Sequence, residues 1–133
     1  KLQNRAREAG LENLVFLPMQ DSALAPAIYA TADLNVIPLA ENIYKTALPS
    51  KTATCLACGR PVVFCFGGPS RFLQMVERES GAARVSAWTV EELCELILAY
   101  QNNTLTGKWT AVFEKYMQKS INAEAYAHMI LEG

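Results

Sequence analysis

Apolar positions along the chain switch between a helical period and short continuous runs. Residues 1–10 (KLQNRAREAG) read as an amphipathic helix stopped by Gly10. Residues 13–17 (NLVFL) form a short apolar strand before Pro18, and residues 22–31 return to helical spacing. Asp21 or Ser22 is available there as N-cap, with Pro26 inside the first turn. Residues 33–39 (DLNVIPL) predict the next strand, residues 40–48 a polar loop, and residues 49–58 a short helix ended by Gly59. Residues 61–66 (PVVFCF) are apolar throughout, as in a strand buried on both faces of a parallel sheet. A Gly67-Gly68-Pro69 turn leads to a helix over 70–80, Gly81 ends it, and 82–86 is a weaker fourth strand. Thr89 with Glu92 three residues later forms a capping box for a helix over 89–100. Two further helices are expected near 109–119 and 122–131.

Strands alternating with helices at these spacings predict an α/β fold. The expected core is a parallel sheet of about four strands with helices on both faces. The chain has 133 residues, enough for one domain with a core of its own. Apolar residues make up 51% and charged residues 19%, and the formal net charge is −1. Lysines and arginines are scattered, so no basic stripe suits nucleic acid or an anionic membrane. No apolar run approaches a membrane-spanning length. The chain opens without an initiator Met or a signal peptide, which suggests that it begins inside a larger protein.

The four cysteines, Cys55, Cys58, Cys65 and Cys94, all lie among apolar neighbours, as reduced thiols packed in a cytoplasmic protein do. Cys55 and Cys58 form a CxxC. A zinc or redox role would need a second ligand pair or an exposed first cysteine at a helix N-terminus, and neither is evident. His128 is the single histidine, so no Ser/His/Asp triad can be assembled around the apolar helix it occupies. Tyr29, Tyr126, Met129 and Ile130 are most simply core.

Ligands of an open parallel sheet bind where strands end and helices begin. Two turns here fit that position. The first, residues 40–51, carries Tyr44, Lys45, Thr46, Ser50 and Lys51 and enters a helix through Pro49. Leu48 at the N-cap leaves the first-turn N–H groups without a side-chain acceptor, a setting that attracts phosphate, and Lys45 and Lys51 add positive charge. Capping by water, with both lysines solvated, is the simpler alternative. The second turn, Gly67 to Arg71, has glycines that allow close approach of a ligand but that any tight strand-to-helix turn would use. Glu41 and Asn42 could hold sugar hydroxyls or simply be surface.

Over residues 48–63 (LPSKTATCLACGRPVV) the chain meets a known pattern. The run Ala57-Cys58-Gly59-Arg60-Pro61-Val62-Val63 resembles the A-C-G-x-P-V-V signature of glycosyltransferase family 4, which has the GT-B fold. Pro49-Ser50-Lys51 is similar to the P-S-K variant of members that build bacterial surface polysaccharides. Residues 10–17 (GLENLVFL), 27–34 (AIYATADL) and 37–39 (IPL) resemble further motifs of the family in the expected order.

The resemblance implies a Rossmann-like, donor-binding part of a GT-B C-terminal domain over residues 1–133, with the N-terminal acceptor domain missing. It implies retaining, metal-independent, cofactor-free transfer of a hexose to a glycan or lipid-linked acceptor in polysaccharide biosynthesis. The donor would be a nucleoside-diphosphate sugar, most simply a UDP-sugar. Thr46, Ala47, Leu48, Ser50 and Lys51 would hold the diphosphate, and Pro18, Met19 and Gln20 would lie against the base. Stabilisation of the leaving diphosphate would be the main catalytic lever. Any peripheral membrane association would run through the missing domain. Two acidic positions of the family fall here on Thr46 and Thr54. The second would bind the ribose, and a Thr hydroxyl offers one weaker contact where a carboxylate accepts two charge-assisted bonds. The donor is then held differently, held less tightly, or not used. The isolated chain is expected to be inactive. A non-catalytic interaction module of the same fold and a GT-B sugar-nucleotide epimerase are the alternatives.

Overall fold

The computed structural model describes residues 1–38, 51–65, 71–81, 84–86, 89–102, 104 and 107–118. Helix α1 (Leu2–Glu8) opens the chain and ends in a left-handed Gly10, φ 66°. A single 3-10 turn, Ser22–Leu24, leads into α2 (Ala25–Thr31). Asp21 caps that turn by accepting the Ala23 N–H at 2.9 Å. The sequence predicts one helix across 22–31. Pro26 sits in the first turn of α2 and has no N–H to give, and the chain enters through the tighter capped turn instead.

Strand β1 (Asn35–Pro38), helix α3 (Lys51–Ala57), strand β2 (Val62–Cys65), helix α4 (Arg71–Ser80) and strand β3 (Arg84–Ser86) follow in order. The sheet is parallel, in the order β1-β2-β3, with Asn35 opposite Val62 and Val63 opposite Arg84. The α/β class and parallel sheet agree with the sequence pattern. The strand count does not: three strands form among the described residues, and 13–17 is not one of them. That segment has no ladder partner among the described residues, and Val15 and Leu17 are 77% and 68% exposed. Apolar content makes a segment able to pair, but a strand exists only where a neighbour supplies the hydrogen bonds.

The core is built on β2, whose four residues are all buried. Successive side chains of a strand point to opposite faces, so both faces of β2 are covered. Val62 and Phe64 pack with Ile37, Cys55 and Leu56 of α3, Val76 of α4, and Trp109 and Val112. Burying Phe64 alone contributes roughly 2 kcal/mol. Tyr29 packs against the rim of this cluster, as its helical position predicts.

Helix α5 (Val90–Gln101) starts at the expected capping residue: Thr89 Oγ1 accepts the Glu92 N–H at 3.2 Å. Beyond it the chain folds back. Lys108 N–H donates to the Ser80 carbonyl at 2.8 Å, Trp109 and Val112 enter the core, and a π-helical turn covers Phe113–Met117. Lys115 Nζ reaches Glu79 Oε2 at 2.8 Å, and Arg78 donates to Oε1 of the same carboxylate. These hydrogen bonds hold the Glu79 carboxyl below its ordinary range. The helix expected over 122–131, with His128, Tyr126, Met129 and Ile130, lies outside the described residues.

Candidate functional site

Helix α3 connects two neighbouring parallel strands, so it runs back across the sheet. Its first residue, Lys51, therefore stands on the side where β1 and β2 end. Arg71, the first residue of α4, opens the second crossover at the same edge. Lys51 and Arg71, the last residues of the two turns singled out by sequence, thus stand at one edge of the sheet. Lys51 is exposed, and Thr54, one turn further, is half-buried. Residues three apart on a helix are neighbours on its surface, so one face of α3 offers an ammonium and a hydroxyl.

Between them lies a residue that the sequence reading did not single out. Thr52 is fully buried, and its Oγ1 has no hydrogen-bond partner among the described residues. Its signal was present in the spacing. Thr52, Cys55 and Leu56 fall at i, i+3 and i+4, and all three face the core.

The CxxC belongs to the packing of α3. Burial pushes the Cys55 thiol from 9.0 up to about 11, with Cys58 adding to the rise and Lys51 opposing it. A thiol so placed stays protonated at neutral pH and is a poor nucleophile. Cys58, half-buried, donates from Sγ to the Pro26 carbonyl at 3.4 Å. Among the described residues no group of three His, Cys, Asp or Glu side chains is placed to hold a metal ion.

Helix α3 ends at the predicted glycine. Gly59 has φ 66°, its N–H bonds to the Leu56 carbonyl at 3.1 Å, and Cys58 N–H bonds to the Thr54 carbonyl at 3.1 Å. The turn beyond it ties α3 and β1 to α2. Arg60 Nε donates to the Ala30 carbonyl at 2.9 Å, and Asn35 Nδ2 donates to the Tyr29 carbonyl at 3.2 Å. These tethers escape sequence reading because their acceptors are backbone carbonyls, which carry no residue identity.

The expected contacts divide into three groups. Lys51 and Thr54 share α3, as the sequence predicts. Thr46, Ala47, Leu48 and Ser50 lie outside the described residues. Pro18, Met19 and Gln20 lie on an exposed irregular segment, where Gln20 Nε2 donates to the Pro18 carbonyl at 2.9 Å and Met19 is 99% exposed. That segment runs into the Asp21-capped turn and α2, which packs on α3. No hydrogen bond among the described residues joins Pro18, Met19 or Gln20 directly to α3.

Against this geometry, comparison with known proteins finds a glycosyltransferase. The chain is similar to WcaI of Escherichia coli (strain K12), whose name assigns it to colanic acid biosynthesis as a glycosyl transferase. The two are 26% identical over 125 residues, which is 93% of this chain and 30% of that protein. The chain thus spans less than a third of that relative's length. The similarity supports a relationship to glycosyltransferases. No family model matches the chain, and no solved structure matches it. No helix among the described residues is long and apolar enough to cross a membrane.

Proposed function

We propose that this chain is the donor-binding part of a GT-B glycosyltransferase C-terminal domain, serving surface-polysaccharide synthesis within a longer protein. The similarity to WcaI over nearly the whole chain carries the reading. The placement of α3 agrees with it, because a helix that begins at the carboxyl edge of a parallel sheet is suited to a diphosphate. Lys51 supplies positive charge to that group, together with backbone N–H groups of Ala47 and Leu48 and the Ser50 hydroxyl. Thr46 contacts the same diphosphate in this reading, Thr54 the ribose, and Pro18, Met19 and Gln20 the base. Developing charge on the leaving diphosphate is stabilised by these donors, with no metal ion required of the protein. The donor is a nucleoside-diphosphate sugar, taken first as a UDP-sugar, and the acceptor is a glycan or lipid-linked sugar bound elsewhere in the longer protein.

The test is titration of UDP, GDP and a UDP-sugar against the isotope-labelled chain, followed by amide NMR. The expected result is a saturable shift of the Lys51 and Thr54 amides with one nucleotide diphosphate. Shifts confined to surfaces away from α3, or none in the full-length protein, would overturn the reading. Thr54 favours one alternative, a non-catalytic module that keeps the fold for pairing with another protein. Its mark is a full-length protein that binds no nucleotide sugar and transfers none.

A further inference from the structure

We draw no further inference here: the strongest candidate, the apolar groove between α1 and residues 11–16, lined by Leu2, Ala6, Leu14 and Phe16, is an unpartnered surface, and nothing in the structure shows what covers it.

Discussion

Arg60 donates from Nε to the carbonyl oxygen of Ala30, thirty residues earlier, at 2.9 Å. A guanidinium at the last turn of a helix satisfies a carbonyl left without an intrahelical partner and meets the negative end of the helix dipole. Arg60→Ala is therefore expected to lower stability by about 1 kcal/mol. Urea unfolding of the two chains measures this, and an unchanged midpoint would show that solvent replaces the contact at no cost.

Of Gly10, Gly59 and Gly81, the described glycines with left-handed backbone, Gly59 is the one where an added side chain would also meet a neighbour. Its φ of 66° is left-handed, and a Cβ there would meet Thr110 Cγ2 at 3.4 Å. Gly59→Ala is expected to cost roughly 1–2 kcal/mol, and Gly59→Asn less, because Asn visits the left-handed region more readily. Thermal unfolding of both variants gives the order; equal losses would point to the Thr110 contact as the cause rather than backbone conformation.

Thr52 makes the opposite prediction. Its buried hydroxyl has no partner among the described residues, so the nearly isosteric Thr52→Val should leave stability unchanged or raise it by up to about 1 kcal/mol. Thr52→Ala should instead cost about 1 kcal/mol through the lost methyl. A Val variant clearly less stable than the wild type in denaturant titration would mean that the hydroxyl is hydrogen-bonded in solution.

The Cys55 thiol yields a pH dependence. Its folded value of about 11 lies above the ordinary 9.0, so the unfolded chain loses that proton first as pH rises. The stability associated with the neutral buried thiol is complete below pH 9 and is lost as pH climbs through about 11. Cys55→Val should flatten the fall in stability across that window. In a thiol-reagent assay of the native chain at pH 8, the exposed Cys94 should react promptly, and the buried Cys55 and Cys65 only after unfolding.

Function is tested most directly at Lys51. In the full-length protein, Lys51→Ala should weaken donor binding about tenfold, or ~1.4 kcal/mol, while the far-ultraviolet spectrum is unchanged because the side chain is exposed. An unaltered donor KM and kcat would remove Lys51 from the site.

Much of this fold is legible because it is encoded locally. Thr89 caps its helix, Gly59 and Gly10 end theirs, and the uninterrupted apolar run at β2 marks the strand covered on both faces. Residues 13–17 misled because their apolar composition states a capacity to pair without naming a neighbour. The return of Trp109 and Val112 into the core was equally hidden, since helical spacing does not say which element a face will meet. The place of Lys51 at the start of a strand-to-helix crossover was readable from the order of elements, whereas Thr54 was singled out through the family resemblance alone. The buried Thr52 between them was missed because a threonine on an apolar face looks polar in composition and packs like valine.

The pair of bonds from the α3–β2 turn to α2 has a mechanical consequence. Cys58 and Arg60 grip the carbonyls of Pro26 and Ala30, four residues apart and hence one turn along the helix. One such bond would act as a pivot; two set direction as well as position. The aim of α2, and with it the heading of the chain that arrives from Pro18, Met19 and Gln20, is therefore dictated from the far end of α3. A substitution at the Cys58–Arg60 turn should be felt at Met19 sooner than its distance along the chain suggests.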